Sequence, residues 1–187
     1  MLAIVPVQRL DRAKSRLAPA LGDEARAALV VGMLDAVLDA CRAAAAVDGV
    51  LVVTPDAGLA RGADVLLDDG VGHPAAVASA LADQRAAGGA LVVMADCPLA
   101  TAASLDALIV AARPVALVAA EDGGLNAVAL ADPRLLGPVF GVPGAAALTV
   151  ARARAAGIEP VVLAEPALAF DVDLPADLAR VPELRAA

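Results

Sequence analysis

Tryptophan and tyrosine are missing from this chain, and its 187 residues include two phenylalanines, one lysine, one histidine and one asparagine. With 1% aromatic and 60% hydrophobic residues, the interior has to be built from alanine, valine and leucine in closely apposed layers. Cysteine is scarce too. Cys41 and Cys97 form no CxxC pair and no zinc spacing, so both read as small buried hydrophobes in a reducing compartment. Positive charge is sparse: the net charge is -8 with a pI near 4.5, and the basic residues are mostly isolated arginines. A general nucleic-acid surface is thereby excluded. The longest stretch without charge, Leu135 to Ala151, is broken by Gly137, Pro138, Gly141, Pro143 and Gly144 and falls short of the roughly 20 apolar residues of a membrane-crossing helix. The start, Met1-Leu2-Ala3-Ile4-Val5, has no basic n-region and reads as a first strand, which makes the cytoplasm the expected location.

Such a composition fits one globular domain over residues 1–187. Continuous apolar runs predict strands at Leu2–Val7, Gly49–Thr54, Asp64–Leu67, Ala90–Met94, Pro114–Ala120, Ala127–Ala131 and Glu159–Leu163. Runs without alternation suit strands buried on both faces of a largely parallel sheet. Helical patterns lie between them: Asp23–Ala45, with Leu29, Met33, Val37 and Cys41 on one stripe, then Pro74–Ala86, Ala102–Ala112, Ala145–Ala156 and Ala176–Ala179. The alternation predicts an α/β doubly wound fold with ligands at the carboxyl ends of the strands.

Four places carry candidate chemistry. The loop after the first strand, Pro6 to Leu17, holds Arg9, Arg12, Lys14 and Arg16, four cations within eight residues, and Lys14 is the only lysine. An ammonium can sit as a point charge on a triphosphate while a neighbouring guanidinium grips two oxygens; the other reading is a solvated loop. Asp96, where the run ending at Met94 stops, could hold a hard cation or close an Asx turn. The D-x-D of Asp171 and Asp173 puts both carboxylates on one face if the segment is extended, although Asp173 could instead cap a helix starting at Pro175. Glu121-Asp122-Gly123-Gly124-Leu125-Asn126, followed by Phe140-Gly141-Val142-Pro143-Gly144 ahead of a helix, allows backbone N–H groups to approach an anion or simply forms turns.

In this order the four places resemble the 2-phospho-L-lactate or phosphoenolpyruvate guanylyltransferases of coenzyme F420 biosynthesis, within the superfamily that includes molybdenum-cofactor guanylyltransferase. The likeness spans almost the whole chain. It is carried by Val5-Pro6-Val7 through Ala13-Lys14-Ser15-Arg16-Leu17-Ala18, by Val53-Thr54-Pro55-Asp56, by Met94-Ala95-Asp96 with Pro98-Leu99, and by Phe170-Asp171-Val172-Asp173 with Pro175. The resemblance implies a three-layer α/β/α Rossmann-like fold of the nucleotide-diphospho-sugar transferase kind with a mainly parallel mixed sheet. It implies GTP as co-substrate, bound by Pro6, Val7, Lys14, Ser15, Arg16, Gly72 and Asp96; Mg²⁺ on Asp96, Asp171 and Asp173; and catalysis by Lys14, Arg16 and Asp96. The acid would meet Gly124, Leu125, Asn126, Gly141 and Gly144. Its partners would be GTP, a small phosphorylated acid and the downstream F420 assembly transferase, with a homodimer as the assembly to test.

The chain also departs from the family. Gln8 stands where a lysine is common, Gly72-His73-Pro74 replaces a G-L-N segment near the base, and Leu125 and Gly144 take the place of threonine and serine on the acceptor side. Two classes of function are compatible with this pattern: an active guanylyltransferase, or a nucleotide-binding regulatory homologue with weakened chemistry. Another base, or an acceptor such as 3-phosphoglycerate, is the variant of the first.

Overall fold

In the computed structural model the described residues are 1–10, 13–69 and 72–185, with His73 and Arg185 described by backbone alone. Arg12, one of the loop cations, and the imidazole of His73 therefore lie outside the described residues. The strands are β1 (Leu2–Pro6), β2 (Gly49–Thr54), β3 (Asp64–Leu67), β4 (Ala90–Val93), β5 (Val115–Ala119), β6 (Leu125–Leu130) and β7 (Val161–Val162). They form one sheet in the order β3-β2-β1-β4-β6-β5-β7. Every pairing is parallel except those of β6, which runs against both β4 and β5. All residues of β1, β4 and β6 are buried. Since successive side chains point to opposite faces, both faces must be covered. Helices supply that cover, giving the three-layer α/β/α architecture.

Helix α1 (Asp23–Ala43) has Asp23 and Glu24 in its first turn and Arg42 in its last, matching the helix dipole, and the predicted stripe Leu29, Met33, Val37 and Cys41 is buried. α2 (His73–Leu81) opens with proline in its first turn, and α3 (Ala102–Ala111) begins in a reciprocal cap between Thr101 and Ser104. α4 spans Ala145–Ala155, and α5 is the single turn Pro166–Ala169. α1 packs beside α3, whereas α2 lies on β1 and β2 and α4 on β5. No helix among the described residues is long and apolar enough to cross a membrane.

The differences from the sequence reading have local causes. β6 starts two residues earlier than the apolar run suggests, because Met94 N–H donates to Asn126 O at 2.9 Å and Leu125 pairs with Ala119, so sheet pairing overrides the turn propensity of a Gly-Gly-x-Asn segment. α2 stops at Leu81 instead of Ala86. Asp83 takes the Arg85 N–H and diverts the chain into a 3₁₀ turn over Gln84–Gly88. The helix expected at Ala176–Ala179 is a 3₁₀ turn over Pro175–Arg180, and α5 carried no periodic signal.

A small second hydrophobic cluster fixes the geometry beside the main core. Leu17, Phe170, Val172, Leu178 and Val181 pack on Leu29, Val30 and Met33 of α1. The loop after β1 and the segment after α5 are thereby anchored to the same helix.

Candidate active site

From β1 the chain turns to β2 on one side, and it later returns to β4 on the other. The connections leaving the carboxyl ends of β1 and β4 therefore diverge, which opens a crevice between them. Because β6 is antiparallel, its amino end reaches the same rim. A cavity of about 530 Å³ occupies this crevice. Pro6, Val7, Lys14, Ser15, Arg16, Asp96, Gly124, Leu125, Asn126, Gly141, Asp171 and Asp173 all line it. Of the site residues the resemblance implies, Gly72 and Gly144 do not. Gly72 sits at the N-cap of α2 with φ of 114°, and Gly144 at that of α4 with φ of 69°.

Lys14 is the centre of the charge arrangement. Its Nζ bonds to Asp96 Oδ2 and, at 2.8 Å, to Asp173 Oδ1. Arg16 Nη1 donates to Asp173 Oδ2 at 3.2 Å. The lysine backbone is left-handed (φ 53°, ψ 41°), a conformation costing a non-glycine residue about 1 kcal/mol, and its side chain is 11% exposed against 68% for Arg16. Burial alone would lower the ammonium pKa, but the two carboxylates outweigh it and the net shift is upward. Lys14 is therefore a fixed positive charge.

Oxygens of Asp96, Asp171 and Asp173 lie within 4.8 Å of one another. Asp171 and Asp173 flank the buried Val172, and the Val172 N–H donates to Asp96 O at 3.2 Å, so the alternation expected of an extended segment is realised. Asp173 does not cap the following turn: Asp177 Oδ2 takes the N–H groups of Asp173 and Leu174 at 2.9 and 2.6 Å, which leaves the Asp173 carboxylate for Lys14 and Arg16. Asp171 is pushed up to about 6 by burial and by the charge of Asp96, against a hydrogen bond from Asn126. Three crowded carboxylates share one ammonium between two of them, an acidic oxygen-only set that suits a hard divalent cation such as Mg²⁺.

At the other end of the cavity the glycine segments fold as turns. Gly141 has φ of 70° and faces Pro74 of α2, where an added Cβ would lie 3.9 Å from the proline ring. Asp122 receives the Gly124 N–H at 2.8 Å. Asp122, Val142 and Pro143, which lie within the two glycine-rich stretches singled out in the sequence, also border the cavity. Val30 and Met33 of α1 also reach the cavity; by periodicity they are indistinguishable from core residues, so the sequence did not single them out. Both cysteines are buried and free, and burial raises both thiols.

The fold is shared with known nucleotide-handling proteins. A protein of Desulfovibrio desulfuricans G20 described as a nucleotide-diphospho-sugar transferase superposes with a TM-score of 0.75 at 18% identity, covering 96% of this chain and 85% of that one. CMP:2-keto-3-deoxy-manno-octonic acid synthetase complexed with CTP gives 0.65 at 18% identity over 99% and 98%. In sequence, the chain is 43% identical over 187 residues to the phosphoenolpyruvate guanylyltransferase of Sphaerobacter thermophilus, covering 95% of this chain and 90% of the relative. The family model described as "Guanylyl transferase CofC like" matches residues 1–182, and the chain belongs to that family.

Proposed function

We propose that this protein is a guanylyltransferase that transfers GMP from GTP to a small phosphorylated carboxylic acid, phosphoenolpyruvate or a close relative such as 2-phospho-L-lactate, and acts in coenzyme F420 biosynthesis. The observation that carries the proposal is the convergence of Lys14 with Asp96, Asp171 and Asp173 on one cavity at the switch point of the sheet. The names of the relatives support the guanylyl donor and the phosphoenolpyruvate acceptor.

In this reading a phosphate oxygen of the acid attacks the α-phosphorus of GTP. A new P–O bond forms, the bond from the α-phosphorus to the α,β-bridging oxygen breaks, and pyrophosphate leaves with the electron pair. Lys14 and Arg16 offset the charge that gathers on the phosphates, and Ser15 borders the same stretch. Asp96, Asp171 and Asp173 would hold Mg²⁺, whose charge neutralises the triphosphate and polarises the reacting phosphorus. Gly124, Leu125 and Gly141 border the acceptor end, where the absence of hydroxyl side chains leaves recognition to backbone groups. No covalent nucleophile is needed: holding the reactants and matching charge suffice.

The test is direct. Purified protein with GTP and Mg²⁺ should release pyrophosphate when given phosphoenolpyruvate, with 2-phospho-L-lactate and 3-phosphoglycerate as competing acceptors and CTP and ATP as competing donors. Silence with every pairing, alongside calorimetric binding of GTP, would replace the enzyme with a nucleotide-binding regulatory protein.

A further inference from the structure

Asn126 is the chain's only asparagine. It is 5% exposed. Although it borders the cavity, its amide nitrogen is already committed: Nδ2 donates to Leu168 O at 3.1 Å, to Ala169 O at 3.2 Å and to Asp171 Oδ1 at 3.2 Å. Its own backbone carbonyl accepts the N–H of Met94, two residues before Asp96, at 2.9 Å. The Val172 N–H, next to Asp171, closes the circuit onto Asp96 O at 3.2 Å. One residue thus ties the end of β4, the start of β6 and the end of α5 together around the acidic cluster.

We infer that Asn126 is a positioning residue that holds Asp171 in register with Asp96, so that the carboxylates meet a divalent cation as a preformed set. This rests on the reading of Asp96, Asp171 and Asp173 as metal ligands. The residue type follows from the acceptors around it. Leu168 O, at the end of α5, is out of reach of any intrahelical N–H, Ala169 O already takes the Glu121 N–H at 3.0 Å, and the third acceptor is a carboxylate, so the position needs two donors on a short stem. Serine offers one donor, aspartate offers none at neutral pH, and glutamine places the amide one carbon further out. Groups that orient metal ligands in this way typically influence metal affinity by about 10- to 100-fold.

Mn²⁺ binding to the whole protein, followed by electron paramagnetic resonance without substrates, is the primary readout, and the acceptor KM is the second. Asn126→Ala should raise the Mn²⁺ dissociation constant about 10-fold or more, a larger factor than any rise in the acceptor KM. Asn126→Ser, which keeps one donor, should fall between the two and serves as the variant to read if Asn126→Ala fails to fold. Unchanged Mn²⁺ affinity in both variants overturns the assignment. If the acceptor KM rises at the same time, the amide belongs to substrate recognition instead. Wild-type protein that binds no Mn²⁺ would overturn the metal reading itself, an outcome distinct from failure of the Asn126 variants alone.

Discussion

Lys14 combines a left-handed backbone, a mostly buried side chain and contacts to two carboxylates. Replacing it with alanine removes the chain's only lysine ammonium from the cavity; on the proposed function, turnover should fall about 100- to 1,000-fold in a pyrophosphate-release assay while the circular dichroism spectrum stays native. Asp171 shows the opposite strain. Its carboxyl ordinarily titrates at 3.8 and is pushed up to about 6 here, so between these values the folded state keeps a proton that the unfolded chain gives up. The stabilisation from that proton is fully present below about pH 4 and is lost as the pH rises through 6. Asp171→Asn should therefore raise the metal-free melting temperature at pH 8, by the equivalent of about 1–2 kcal/mol after allowing for solvent screening. At pH 4 it should give no gain, and turnover should disappear at every pH. An Asp171→Asn protein no more stable than wild type at pH 8 would show that the carboxylates are not short of positive charge.

At the scale of elements, the segment after α5 decides whether the acidic cluster exists. It has no periodic hydrogen bonding of its own; Val172 is held by Asp96 O, and the turn behind it is closed by Asp177. Beneath it Phe170 and Val172 pack on α1 together with Leu17 from the loop after β1, so one apolar cluster sets the distance between Lys14 and Asp173. Arg180 lies over the Phe170 ring at 3.7 Å and reaches Glu121 at 2.8 Å, closing the segment from outside. Asp177→Ala removes the acceptor of two N–H groups and should cost about 1 kcal/mol of stability, as loss of a helix cap does. Because the Asp173 backbone is then released, the Mg²⁺ concentration required for half-maximal activity should rise more than the acceptor KM. Equal changes in both would place the effect in general loosening of the fold.

For the molecule as a whole, the net charge of -8 is unfavourable for binding a triphosphate and a second anion, and Lys14 and Arg16 at the cavity offset it locally. In the proposed site, GTP with Mg²⁺ would bridge segments from β1, β4 and the region after α5, so its binding should be linked to global unfolding. At about 100 times the dissociation constant this is worth about 2.7 kcal/mol, or about 5–10 °C in melting temperature for a chain of this size; a melting curve unmoved by GTP and Mg²⁺ would contradict the proposed site. The sequence by itself determined the alternation of strands and helices, because unbroken valine and alanine runs and a four-residue apolar spacing have few other uses, and it singled out Lys14, Asp96, Asp171 and Asp173 as residue types suited to phosphate and metal. It could not show that β6 runs antiparallel and begins at Leu125, that Asn126 spends its amide on Asp171, or that Val30 and Met33 reach the cavity. Those features arise from pairings between segments far apart in the chain, where hydrogen bonds and packing across the sheet override what each short stretch would prefer alone.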